Sequence, residues 1–484
     1  MITLRGYQEK AVDGVRVEYG KGKNRVVLVM PTGAGKTVVF SHITRITASN
    51  GKRILVLAHR KELLTQCGDK LKKNDVDFGY LNPSFTPSPL FKVQVGTMQT
   101  VVKRMVKMNF IPDLIIVDEC HRAMGKTYQD ILRFYPKARV LGVTATPIRG
   151  DGKPLGEFFD AMVVGPNIKE LIAMGALVAP RTFGPEKYLD FSSVAMVKQE
   201  DGSYDYDKKG LEKIVNTKEV TGDAIERYNS ICPGVPAVAF CVSIQHAVDT
   251  ARDFCAAGWK FRAIHGNSEK HPMSDRERED ILRDLKDGRI HGITSVDLVT
   301  EGFDAPNLQC AIMLRKTLSE GLYLQMGGRV LRSHPGKSQA FILDHVGCAM
   351  IHGTVTFVRN WTLDTAYVKK KRNKDKEPPI RTSQCPSCYL IHEPAPVCPD
   401  CGHVYKSAYV PPAIKRGTLV EITEDQEQFI NFLKDMPTTP QEIKAVIAQA
   451  QTFEDLLTAQ RKFGFDSGWA KGIWAARNKK ARIV

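Results

Sequence analysis

Met30-Pro31-Thr32-Gly33-Ala34-Gly35-Lys36-Thr37 stands between an apolar β-branched run, Val26–Met30, and a helix-like stretch that begins Val38-Val39-Phe40. A strand that turns through glycines into a helix sets backbone N–H groups around a phosphate-sized space. Within it, Lys36 is placed to neutralise β- and γ-phosphates, and the Thr37 hydroxyl to hold Mg²⁺. Pro31, Thr32, Gly33, Ala34, Gly35, Lys36 and Thr37 are therefore the candidate nucleotide-binding loop. The general form of such a loop has glycine where this chain has Met30, a departure that narrows the class of loop. Downstream, the apolar run Leu114-Ile115-Ile116-Val117 ends in Asp118-Glu119-Cys120-His121. A strand that delivers two carboxylates at its end suits metal-assisted hydrolysis. Asp118 is expected to hold Mg²⁺, Glu119 to polarise the attacking water, and His121 to link the site to the rest of the machinery. Alone, such an acidic pair is often a solvated helix cap; paired with the loop it reads as a catalytic site.

Around these two stretches, strand and helix signals alternate twice. Apolar runs at Val26–Met30, Arg53–Ala58, Leu114–Val117 and Val140–Val143 form one series. Ala237–Cys241, Phe261–Ile264, Ile293–Val296, Ala311–Leu314 and Ala340–Leu343 form another. Continuous apolar strands separated by longer amphipathic segments predict parallel sheets covered on both faces, hence two α/β lobes in tandem. The 484 residues leave room for both and more, at about 150 per domain. The expected division is a first lobe over 1–180, a connection or small insertion over 181–215, and a second lobe over 216–365. A basic, proline-containing linker follows over 366–381, then a cysteine module over 382–406 and a helical tail over 420–484. In the tail, Thr439-Pro440-Gln441-Glu442 has the layout of a helix start.

Hydrophobic residues make up 43% and charged residues 25%, the balance of an ordinary globular chain, which excludes collagen-like and wholly disordered classes. No stretch of the sequence is apolar for long enough to span a membrane, and the start lacks a secretory layout. A net charge of +16 favours a polyanionic partner, nucleic acid before membrane. Of eleven cysteines, four form two CxxC pairs, Cys385/Cys388 and Cys398/Cys401, which suits a reducing cytoplasm and one structural, tetrahedral Zn²⁺. The tail ends with Trp469 and Trp474 among Lys471, Arg477, Lys479, Lys480 and Arg482. Basic side chains with interleaved aromatics suit DNA or a partner protein; equally, both indoles can pack the helix onto Phe429, Leu433 and Ile447.

In the second series, Gln325, Gly328, Arg329 and Arg332 fit the pattern QxxGRxxR, whose spacing predicts one helical face. With these residues in place, the chain resembles a superfamily 2 helicase of the DEAD/H-box group over residues 1–350. The form PTGAGKT is the helicase form of the loop. The resemblance implies two RecA-like lobes. It also implies that Gln8, flanked by Arg5 and Tyr7, reads the adenine edge. His59 and Arg60 resemble the first strand-contacting motif, Thr97 lies in the second, and Val143–Pro147 resembles the motif coupling hydrolysis to movement. Arg329 and Arg332 correspond to fingers on the γ-phosphate, beside Gln325. Thr300-Glu301-Gly302-Phe303-Asp304 resembles the motif between nucleotide and strand, with Gly302 and Asp304 toward the nucleotide and Thr300 toward a nucleic-acid phosphate. Ser243 and His265 sit in candidate phosphate-contact loops, although His265 reads more readily as a structural histidine.

A helicase core followed by a cysteine-rich ribbon is similar to RadD-like bacterial and phage helicases. The expectation is an ATP-dependent DNA helicase or translocase of replication, recombination or repair, cytoplasmic in a bacterium or a phage-infected host. Its expected ligands are ATP, Mg²⁺ and Zn²⁺, with contact to DNA in a largely sequence-independent manner and to a partner such as a single-strand-binding protein or polymerase. The alternatives are an RNA helicase, a restriction-type translocase on duplex DNA, and a scaffold without motor activity.

Overall fold

The computed structural model describes residues 3–58, 61–81, 90–122, 125–199, 202–296, 305–364, 382–405, 447–463 and 465–480. The expectations placed on His59, Arg60, Thr300, Gly302, Asp304 and the helix start at Thr439 lie outside these residues.

The first lobe is built on β1 (Arg25–Val29), β2 (Ile54–Ala58), β3 (Phe78–Leu81), β4 (Val93–Thr97), β5 (Leu114–Asp118), β6 (Arg139–Thr144) and β7 (Ala161–Val164). They lie in the order β3-β4-β2-β5-β6-β1-β7, every pairing parallel. Successive side chains of a strand point to opposite faces, and here both faces are covered. Val26, Leu28, Ile54, Val56, Leu114 and Ile116 join one core with the helices Gly6–Gly20, Lys36–Ser49 and Lys61–Lys73. Val27, Val29, Leu55, Leu57, Ile115 and Val117 join another with Met98–Arg104 and Lys126–Phe134. That double burial is why the strands read as unbroken apolar runs.

The second sheet contains β8 (Ala179–Phe183), β11 (Ala237–Phe240), β12 (Phe261–Ile264), β13 (Gly292–Ser295), β14 (Cys310–Met313) and β15 (Gln339–Asp344), with β16 (Ser383–Gln384) and β17 (Leu390–His392) at one edge. Its order is β12-β13-β11-β14-β15-β8-β17-β16. A hairpin of β9 (Met196–Lys198) and β10 (Tyr204–Tyr206) stands apart from it. Serine caps start its helices: Ser243, Ser274 and Ser319 each accept the N–H three residues on, satisfying donors the helix leaves open.

The chain divides differently from the expected boundaries. β8 falls where a connection was expected, yet it pairs in parallel with β15 inside the second sheet. The cysteine module is also not detached: β17 pairs antiparallel with β8, Leu390 opposite Phe183 and Ile391 opposite Thr182. Cys385, Cys398 and Leu390 share a core with Phe183, Tyr228 and Phe341. The remainder of the expected insertion is the hairpin, tied down by buried Asp205, which accepts from the Thr317 hydroxyl at 2.6 Å and the Leu318 N–H at 2.8 Å.

Residues 407–484 form a second compact unit. Its described helices, Phe453–Phe463 and Trp469–Lys480, enclose a small core of Ala450, Leu456 and Ala470, lined by Ile447, Phe453, Leu457, Trp469, Ile473 and Trp474. Among the described residues no helix is long and apolar enough to cross a membrane.

Candidate active site

In a parallel sheet the loops at the carboxyl ends of the strands form the ligand crevice. The loop 30–35 leaves the end of β1, Asp118 ends β5, Thr144 ends β6 and Thr97 ends β4, so the sequence motifs gather on one edge. Met30 is held there by its N–H to the Thr144 carbonyl at 3.0 Å. Gly35, the N-cap of the helix Lys36–Ser49, has φ +84°, a conformation that costs about 1–2 kcal/mol for a residue with a Cβ. No side chain caps this helix, which leaves its positive end to the loop.

Gln8 is buried against that loop. Its Nε2 donates to the Ala34 carbonyl at 3.1 Å, where the Tyr7 hydroxyl also donates, and its Oε1 accepts from the Arg5 N–H. Its amide thus grips the phosphate loop. Beside it a cavity of about 1000 Å³ is lined by Arg5, Tyr7, Lys10, Pro166, Glu170 and Met174, among others.

Lys36 Nζ lies 4.0 Å from Glu119 Oε1. Burial holds the ammonium below its usual range; Glu119 and Asp118 pull it up, whereas Arg329 and Arg332 push it further down. Three cations from two lobes therefore converge on one volume beside two carboxylates. Glu119 is held at φ +47°, a strained region found often at active sites. The Asp118 Oδ1 accepts the Glu119 N–H at 3.0 Å.

The second lobe closes on this edge. A Cβ added at Gly328 would stand 2.7 Å from Thr32 Cβ, so only glycine allows so close an approach. On the other side, Gly33 is covered by Leu177 and by the stem of Arg332. Gln325 is 2% exposed, and neither its Nε2 nor its Oε1 has a hydrogen-bond partner. A buried amide with both ends unmatched is costly and fits a group that receives a ligand. The arginines are not carried on one continuous helical face as the spacing predicts. The helix ends at Gly328, Arg329–Leu331 make a single 3₁₀ turn, and Arg332 is extended at φ −61°, ψ 134°. Two consecutive glycines, Gly327 and Gly328, weaken the helix at that point.

A hydrogen-bond chain leads out of the site. The Thr144 hydroxyl donates to the Thr146 carbonyl at 2.9 Å and lies 2.8 Å from His121 Nδ1. With its one proton committed, it accepts from His121, which fixes the proton on Nδ1. Thr146 borders the helix of Gln325, since a Cβ on Gly321 would lie 3.1 Å from its hydroxyl. His121 thus reaches the second lobe through two threonines.

Other expected residues are placed as follows. Thr97 caps the helix Met98–Arg104 through Thr100. Ser243 caps the helix Ile244–Ala256 and donates to Glu212 at 2.5 Å. His265 is buried, with Nδ1 2.8 Å from the Gly266 carbonyl, in keeping with a structural histidine. The Sγ atoms of Cys385, Cys388, Cys398 and Cys401 all lie within 4.8 Å of one another, with 3.5 Å from Cys385 to Cys401 and 3.7 Å from Cys388 to Cys398. Four thiolates about 2.3 Å from a tetrahedral Zn²⁺ lie about 3.8 Å apart, so the set fits that ion. Trp469 stacks on Phe465 at 4.3 Å and Trp474 meets Phe453 at 6.0 Å; both belong to the tail's own core. Leu177, which covers Gly33, carries no sequence signal for its position.

Residues 1–149 match the family described as type III restriction enzyme, res subunit, and residues 224–334 match the helicase conserved C-terminal domain. A 51.5 kDa protein of a Lactococcus phage is 29% identical over 84% of this chain and 84% of its own length. A putative mitochondrial ATP-dependent helicase, irc3, of Schizosaccharomyces pombe is 28% identical over 71% of this chain, which matches only 57% of that protein. Among solved structures, a fragment of a putative HsdR subunit of a type I restriction enzyme from Vibrio vulnificus has a similar fold. Its TM-score is 0.57 at 20% identity, over 73% of this chain and 66% of that one.

Proposed function

We propose that this chain, which belongs to helicase superfamily 2, hydrolyses ATP between its two lobes and uses that cycle to move along DNA. The observation that carries the reading is the meeting of the two lobes at the loop: Lys36 lies 4.0 Å from Glu119, while the Arg332 stem and Gly328 lie against Gly33 and Thr32. Concentrated positive charge in a closed cleft is suited to the charge that spreads over a transferring γ-phosphoryl group.

In this reading the loop 31–37 holds the phosphates, and the cavity at Arg5 and Tyr7 takes the base, with Gln8 reporting on the loop. Thr37 and Asp118 would hold Mg²⁺, which supplies charge neutralisation between phosphate oxygens. Glu119 orients the attacking water, and the arginines with Gln325 complete the cleft from the second lobe. Thr32 and Gly328 meet where the lobes close; in this reading nucleotide release parts them, and the chain His121–Thr144–Thr146 passes that change to the helix of Gln325. The expected strand contacts at His59, Arg60, Thr97, Ser243 and Thr300 then turn opening into a step. DNA is favoured over RNA by the match of residues 1–149 to a restriction-enzyme family.

The four-cysteine site is a structural Zn²⁺ site in this proposal, supported by four Sγ atoms that all lie within 4.8 Å of one another. Trp469 and Trp474 remain candidates for contact with DNA or a replication or repair partner only through their half-exposed edges. One ATP-turnover assay over single strands, duplexes, forks, four-way junctions and RNA tests the substrate class. Stimulation by DNA supports the proposal; stimulation by RNA alone overturns it.

A further inference from the structure

Lys337 is a half-buried ammonium that no step above uses. Its Nζ donates to the carbonyls of Leu308 at 2.5 Å, Arg332 at 2.8 Å and Pro306 at 3.4 Å. An ammonium has three donors, and these three acceptors match them. Burial, and then the charge of Arg332, lower it to about 7, whereas the three carbonyls accept from the charged form and favour it. The three carbonyls come from two places. One is the backbone of Arg332; the others, Pro306 and Leu308, come soon after the segment 300–304, read as lying between nucleotide and strand.

Arg332 needs such support because it stands past the end of its helix in an extended conformation. Its other backbone ties are to the entry of β8: Leu177 bridges to Arg332, and the Val178 N–H donates to the Leu331 carbonyl at 2.8 Å. Leu177 fixes it relative to the phosphate loop, whereas Lys337 fixes it relative to residues 306–308. We infer that Lys337 is a positioning residue for Arg332, joining that arginine to the 306–308 segment so that strand engagement there is felt at the nucleotide. The inference rests on the ATPase reading above.

The test is a double-mutant cycle on the full chain. Lys337→Met removes the donors while keeping most of the apolar stem, Lys337→Arg keeps the charge, and each is made alone and with Arg332→Ala. ATP turnover with and without DNA, KM for ATP and the thermal midpoint are measured for all. Contacting residues couple by 0.5–3 kcal/mol, so Lys337→Met should lower DNA-stimulated kcat by about tenfold. KM should change far less, Lys337→Arg should restore most of the rate, and Lys337→Met should cost nothing further when Arg332 is absent. Equal losses in both backgrounds, or a fall in the thermal midpoint with no change in kcat, overturn the inference. If the wild-type protein turns over no ATP, the ATPase reading fails and this inference with it; if it does and Lys337→Met matches it, only this inference fails.

Discussion

Replacing Cys388 with serine should loosen the second lobe as well as the cysteine ribbon. The ribbon strand β17 forms an edge of the second sheet, and Leu390 and Ile391 are 7% and 3% exposed there. Burying a Leu or Ile side chain contributes about 1.5–3 kcal/mol. The Gly184 N–H, which donates to the Tyr389 carbonyl at 3.1 Å, adds about 1 kcal/mol. Detaching the ribbon from β8 therefore releases about 4–7 kcal/mol of local stabilisation, an upper bound because an unfolded chain already buries some surface. Zinc binding of about 10–16 kcal/mol in small fingers is large enough to hold such an edge closed. At 1.4 kcal/mol per decade, losing it should speed exchange of the Gly184 amide by about three to five orders of magnitude. Hydrogen–deuterium exchange on the peptide around Gly184, read beside metal analysis, measures this. Since β8 begins just after Leu177 and Val178, which brace Arg332 and Leu331, basal ATP turnover should fall too. A zinc-free Cys388→Ser protein that protects Gly184 as well as wild type would refute the reasoning.

Further outcomes follow from the cleft and the tail. Lys36→Ala should abolish nucleotide binding in a fluorescent-nucleotide titration, whereas Glu119→Gln should still bind ATP but turn it over roughly 10²–10⁴-fold more slowly. Arg329→Ala should lower kcat by roughly 10³–10⁵ if it meets the γ-phosphate as a finger does; a loss in KM alone would place it elsewhere. Gly328→Val should slow turnover without altering any charge, because its side chain would push against Thr32, and small-angle scattering should show whether the lobes part. Trp469→Ala should loosen the tail helices, seen as a red shift in the emission of Trp474, yet leave basal ATP turnover unchanged.

The nine strands expected from apolar runs correspond to β1, β2, β5, β6, β11, β12, β13, β14 and β15 within a residue or two. Central strands covered on both faces must be apolar throughout, so they announce themselves. Ala179-Pro180-Arg181-Thr182-Phe183 does not: it includes a proline and an arginine, and its place comes from pairing with β15 and β17. The same is true of the site. The phosphate loop and the Asp118–Glu119 pair are local in sequence and legible there, and their convergence with Arg329 and Arg332 was implied by resemblance. Geometry that depends on how the lobes meet was not legible. Spacing alone put Arg332 on a helix that Gly327 and Gly328 in fact end. Ser243 reads in the sequence as a phosphate contact, and only the 3.0 Å bond from the His246 N–H and the bond to Glu212 show its present engagement as a helix cap. Lys337 has no sequence signature, because what it binds is backbone.

The central claim is that hydrolysis in this cleft moves the chain along DNA, and displacement of a third strand from a DNA triplex tests it most directly, since no duplex need be unwound. Wild-type protein with ATP and Mg²⁺ should release the third strand after a lag that lengthens with the distance from its loading site, and Glu119→Gln should release none. Release by Glu119→Gln at the wild-type rate, or no release by a wild-type protein that is hydrolysing ATP on the same DNA, would contradict it.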